Sequence, residues 1–85
     1  MLLQYQDDEY VRHQMREVGF LIAYHRRQKG LSQAKLAEFA GISRQHLAAV
    51  EAAGMQRPFS VEFLIRIANA LEISPAEFFD YAKKS

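Results

Sequence analysis

The sequence predicts an all-helical domain of five helices, and three features carry that prediction. Apolar residues recur every three or four positions, as at Val11, Met15, Val18 and Ile22, the period of one helical face. Serines stand just ahead of such stretches at Ser32, Ser43, Ser60 and Ser74, where a hydroxyl accepts from an orphan N–H of the first helical turn. Strand signals are absent: no sustained period-two alternation and no Asn-Gly or Asp-Gly hairpin turn occurs.

The first helix is expected from about Glu9 to Gln28, with Asp7, Asp8 and Glu9 supplying the negative charge that a helix N-terminus favours. Tyr10, Leu21 and Tyr24, joined by Phe20, form a second apolar stripe that calls for a cover, either Leu2, Leu3 and Tyr5 folding back or another subunit. Ser32 caps the second helix and Gly41 ends it; Ser43 caps the third within two residues of that turn. So short a link forces the two helices to cross steeply. Leu31 with Leu36, and Ile42 with Leu47, bracket the two caps as hydrophobic staples that fix how the chain enters each helix.

Gly54 to Pro58 is expected to be a loop, since Pro58 drives Arg57 away from helical angles. Ser60 caps the fourth helix, whose core stripe is Leu64, Ile67, Ala68 and Leu71, with Val61, Phe63 and Ile65 pointing elsewhere. Ser74, Pro75 and Glu77 form a capping-box start to a fifth helix carrying Phe78, Phe79 and Tyr81. Phe59 with Leu64, and Ile73 with Phe78, repeat the staple.

Eighty-five residues, half of them hydrophobic, make one small domain that buries roughly 60 percent of its unfolded surface, so burial against a partner subunit would help. No apolar run approaches the roughly 18 to 20 residues needed to cross a bilayer, and the acidic N-terminus lacks the basic and apolar regions of a signal peptide. A cytoplasmic protein is expected. The absence of cysteine excludes disulfides and thiolate metal sites. His13 and Glu17 lie one helical turn apart, but a metal needs three or four convergent ligands, and no second cluster is present. Neither a metal nor a cofactor is expected. Enzyme chemistry also lacks its parts: there is no cysteine nucleophile and no glycine-rich phosphate loop, and the serines are accounted for as caps.

The net charge of +1 hides an uneven distribution. From Arg26 to Arg57 the segment carries net +4, while residues 1–25 carry −2 and residues 58–85 carry −1. Positive charge therefore gathers in the segment that holds the two crossed helices, as a phosphate-facing footprint requires. Leu47 and Val50 must face the core, which leaves Arg44, Gln45, Ala48, Ala49 and Ala52 on the outer surface of the third helix, with His46 at its edge. Arginine suits the two acceptors of guanine, glutamine suits adenine, and alanines permit close approach and contact with a thymine methyl. Ser43, His46, Lys35 and Arg57 are the candidate phosphate contacts.

The stretch VGFLIAYHRRQKGLSQAKLAEFAGISRQHLAAVE, together with Pro58, Ala70-Leu71 and Ile73-Ser74, resembles the phage-repressor or Cro-type (XRE-like) helix-turn-helix family. The resemblance implies a sequence-specific DNA-binding transcriptional regulator, with a recognition helix from Ser43 to Ala53 in the major groove. It implies base contacts at Gln33, Arg44, Gln45 and Ala49, the last lacking a polar group here, and a structural salt bridge between Arg26 and Glu51. His25 stands where the family usually has an aliphatic residue, and a partly buried, hydrogen-bonded imidazole is expected there. The family's first helix usually begins near Arg16, so residues 1–15 are an N-terminal extension, partly helical, and residues 16–82 the DNA-binding domain. A homodimer on a two-fold operator is expected, with Val61, Ile65, Phe78, Phe79 and Tyr81 as its contact and the Phe20, Leu21, Tyr24 surface as the second choice. An antitoxin that also binds a toxin, a restriction-system controller, and a protein-binding module without DNA are the competing readings.

Overall fold

The computed structural model describes residues 8–52 and 57–79. These form α1 (Asp8–Gln28), α2 (Gln33–Ala40), α3 (Arg44–Glu51), α4 (Val61–Leu71) and a 3-10 helix at Pro75–Phe79. No strand occurs among the described residues.

Three of the four predicted serine caps take the expected N–H three residues on. Ser32 Oγ accepts from the Lys35 N–H at 3.0 Å, Ser43 Oγ from His46 at 3.1 Å and Ser60 Oγ from Phe63 at 3.0 Å. Gly41 ends α2 with φ 69°, the left-handed conformation that only glycine adopts without a Cβ penalty. There the Ile42 N–H donates to the Ala37 carbonyl at 3.0 Å, which closes the last turn and launches the chain toward α3.

The core is one cluster. Val18 and Ile22 of α1, Leu36 of α2, Leu47 and Val50 of α3, and Leu64, Ile67, Ala68 and Leu71 of α4 are buried together, with Leu31, Ile42, Phe59 and Ile73 packed at its edge. The four staples thus lie where the sequence puts them. In this arrangement α2 rests on α4, while α3 is held by α1 and α2.

Three expectations need correction. Leu21 is fully buried, so it belongs to the core rather than to a second exposed stripe; of that stripe Tyr10 and Phe20 are exposed and Tyr24 half-buried. Phe63 is buried as well, leaving Val61 and Ile65 as the outward apolar residues of α4. The fifth helix is a 3-10 helix. Glu77 N–H donates to the Ser74 carbonyl three residues back at 3.0 Å, and Ser74 Oγ takes the Ala76 N–H at 3.2 Å instead of the third-position N–H of a capping box. Tight winding carries Phe78 to the centre of the molecule, where its exposure is 0%. That burial removes Phe78 from the subunit-contact candidates. Val61, Ile65 and Phe79 remain exposed, while Leu2, Leu3, Tyr5, Gly54 and Tyr81 lie outside the described residues.

Candidate nucleic-acid interface

Helix α3 is short, and its orientation depends on what holds its inner side. Leu47 and Val50 are buried against the core, and at its C-terminal end Glu51 is held by an ionic lattice. Arg26 Nε donates to Glu51 Oε2 at 2.8 Å, Nη2 donates to Oε1 at 2.9 Å, and Nη1 donates to the Leu31 carbonyl at 2.8 Å. Arg26 is 8% exposed. A bidentate guanidinium fixes the carboxylate in both position and plane. The hydrogen bonds to Glu51, reinforced by its charge, hold the guanidinium proton more firmly than in free arginine despite the opposing effect of burial. The salt bridge expected between Arg26 and Glu51 is therefore present.

Gln33 joins the same carboxylate, its Nε2 donating to Glu51 Oε1 at 2.9 Å. The amide orientation follows from charge: turned over, the side chain would set its oxygen against an anion. Gln33 Oε1 accordingly points away from Glu51.

On the other side of α3, Arg44 and Gln45 of the first turn are exposed. Neither side chain makes a hydrogen bond or ion pair among the described residues. Ala48 and Ala49 are half-buried, so the surface behind the two long side chains is small and close to the backbone. The helix is shorter than expected. Ala52 has φ −77° and ψ 124°, extended backbone, so α3 stops at Glu51, and Ala53 lies outside the described residues.

The candidate phosphate contacts divide. Ser43, Lys35 and Arg57 are exposed. Lys35 Nζ stands 3.4 Å from Glu38 Oε1 and 5.7 Å from the Phe39 ring centre, a loose exposed pairing that leaves the ammonium accessible. His46 is engaged differently. Its Nε2 lies 2.9 Å from the Pro58 carbonyl and its ring sits 4.4 Å from that of Phe63, so the side chain turns inward to the start of α4.

Gly19 is the residue whose role the sequence patterns did not expose. A Cβ there would overlap the backbone carbonyl of Val50, so α1 and α3 approach to backbone contact at this point. A glycine in the middle of an otherwise strong helical pattern, at a cost of about 1 kcal/mol relative to alanine, was the available signal. His25 is mostly buried, edge-on to Tyr24 and Phe78 with ring centres at 5.1 and 6.1 Å, and its Nε2 is 3.8 Å from Glu77 Oε1. It holds α1 to the 3-10 helix rather than serving the outer surface. His13 and Glu17 lie 3.9 Å apart, and among the described residues no group of three or more potential ligands converges on a metal position. No described helix is long and apolar enough to cross a membrane.

The helix-turn-helix family model matches residues 22–78. Among solved structures, the chain is similar to the restriction-modification controller protein C.AhdI from Aeromonas hydrophila, with 35% sequence identity, a TM-score of 0.71, and coverage of 76% of this chain and 96% of that one. A search of curated proteins gave no match.

Proposed function

The chain belongs to the helix-turn-helix family, and on that premise we propose that it is a sequence-specific DNA-binding regulator of transcription, with the first turn of α3 in the major groove. The observation that carries this reading is the exposure of Arg44 and Gln45, without a partner among the described residues, on a helix whose opposite side is fixed by Leu47, Val50 and Glu51. In this reading Arg44 donates twice to guanine N7 and O6 and Gln45 pairs with adenine N6 and N7, each contact discriminating by about 1 to 3 kcal/mol. Ala49 offers a methyl for thymine. Gln33, with one amide proton spent on Glu51 and its oxygen turned outward, suits a base edge that donates, which favours adenine over guanine. Ser43, Lys35, Arg57 and the helix-start N–H groups meet phosphates and set register.

One recognition helix spans only a few base pairs. A homodimer that sets two such helices about 34 Å apart doubles the contact on one face of the duplex. Val61, Ile65 and Phe79 are its apolar contact, since they are the large side chains of α4 and the 3-10 helix left in water. Residues 16–82 form the DNA-binding unit, residues 1–15 extend it, and the protein works in the cytoplasm, where its DNA is. Occupying a site near a promoter is regulation that needs no catalysis. A narrower second reading makes the chain a restriction-modification controller, supported by likeness to nearly the whole of such a protein.

The test starts by selecting binding sites from a random duplex pool. Arg44→Ala and Gln45→Ala are expected to weaken binding to the selected site far more than to unrelated duplex. Equal losses on both would count against base reading by α3.

A further inference from the structure

His46 carries three links at once, and none faces outward. Its backbone N–H donates to the Ser43 cap at 3.1 Å, its Nε2 meets the Pro58 carbonyl at 2.9 Å across twelve residues, and its ring lies 4.4 Å from Phe63 with the planes 38° apart. A carbonyl only accepts, so the Nε2 must carry the proton and donate. Phe63 is in turn buried in the core, with Phe59 at the core's edge stacked 6.1 Å from it, so the imidazole rests on a fixed ring.

The placement matters because of what holds the rest of α3. At its C-terminal end, Arg26 and Gln33 grip Glu51, and α1 and α2 pack along its side. The N-terminal turn carries Arg44 and Gln45, and it is tied to the α4 side through His46. Apolar packing at Leu47 and Val50 seats the helix but is non-directional, so the turn ahead of Leu47 can still tilt. A tilt of a few degrees displaces the far end of an eight-residue helix, about 12 Å long, by a good fraction of an ångström. A bidentate contact to a base edge tolerates little error of that kind.

We propose that His46 is a positioning residue: it locks the N-terminal turn of α3 to the start of α4, and so sets where Arg44 and Gln45 meet the bases, instead of contacting phosphate itself. The inference rests on the DNA-binding reading above for its consequence, though the lock itself is a property of the free protein. It also ties the reading turn to the helix that bears Val61 and Ile65. A second copy docked on that face would thereby be in mechanical register with its partner's reading turn.

The experiment uses the full chain and three variants, each measured well below its own melting temperature, on the selected site and on unrelated duplex over a range of salt. His46→Ala removes ring and donor, His46→Phe keeps a ring on Phe63 without the donor, and His46→Gln restores an amide N–H near the place of Nε2. The proposal expects His46→Ala and His46→Phe to lose about five- to tenfold on the selected site, with unrelated duplex within twofold and the salt slope unchanged. His46→Gln is expected to recover much of the loss. Equal losses on both duplexes, with the log-log salt slope reduced in size by about 0.9, would make His46 a phosphate contact and overturn the proposal; so would unchanged binding throughout. Should His46→Ala fail to fold, His46→Phe carries the comparison. If the unaltered protein prefers no sequence, the DNA reading fails, and amide exchange in the free protein decides the lock. Faster exchange confined to the first turns of α3 in His46→Phe sustains it, and unchanged exchange refutes it.

Discussion

Two residues decide whether α3 can be where it is. Gly19 lets the α1 backbone touch the Val50 carbonyl, and Arg26 then neutralises the carboxylate that follows Val50 in the chain. Removing either member of so buried a pair would leave a charge without its partner, at a cost of about 3 to 5 kcal/mol. Because binding to Glu51 raises an already strongly basic Arg26, the stabilisation it brings persists at all ordinary pH and fades only as pH climbs through the raised value. Gly19→Ala tests the close approach. Alanine gains about 1 kcal/mol of helix propensity, but the added methyl meets backbone, which yields only if α1 and α3 separate. Net destabilisation of about 2 kcal/mol is expected by urea unfolding; a neutral or stabilised variant would show that the helices part without penalty. The Arg26 and Glu51 pair was readable through the family resemblance. Gly19 was visible as a residue but its reason was not, because the clash it avoids involves a carbonyl thirty-one positions later.

At the level of elements, boundaries signalled by a hydroxyl or a glycine were legible and those made by tertiary pull were not. Ser32, Ser43 and Ser60 cap as the sequence implies, since the cap is a local bond within three residues. The end of α4 gave no such sign. Glu72 occupies the left-handed position there, with φ 61°, and its N–H donates to the Asn69 carbonyl at 3.1 Å. A side chain in that conformation is strained by roughly 1 kcal/mol. Glu72→Gly is therefore expected to raise stability by about 1 kcal/mol, reduced by glycine's greater unfolded-state freedom, and its exposed 3.7 Å pairing with Lys29 is too weak to reverse the sign. Thermal melts that fall instead of rise would locate the strain elsewhere. The last element failed for a related reason: Ser74, Pro75 and Glu77 satisfy a local helix-start pattern, yet burial of Phe78 sets the winding.

For the whole molecule, two sets of exposed groups lie on different elements. Arg44, Gln45, Lys35 and Arg57 stand on and beside α2 and α3, while Val61, Ile65 and Phe79 stand on α4 and the 3-10 helix. A dimer built through the second set leaves the first free for the duplex. Ile65→Lys, at a site 50% exposed, is expected to leave the monomer fold intact and to shift sedimentation from dimer to monomer at micromolar concentration. Affinity for a two-fold site should fall toward that for a single half-site. A variant that still sediments as a dimer would move the contact elsewhere. The position proposed for the reading surface follows from segment charge and cap spacing, which are sequence properties. The inward turn of His46 was not, since Pro58 and Phe63 reach it only through the fold.

Because Arg44 and Gln45 make no hydrogen bond or ion pair among the described residues, their identity is free of the constraints that govern the rest of α3. Exchanges at these two positions should alter folding free energy by no more than about 0.5 kcal/mol. Such a scaffold can acquire a new operator by two codon changes while its melting curve stays where it was, so divergence in target choice among chains of this design need leave no trace in their cores.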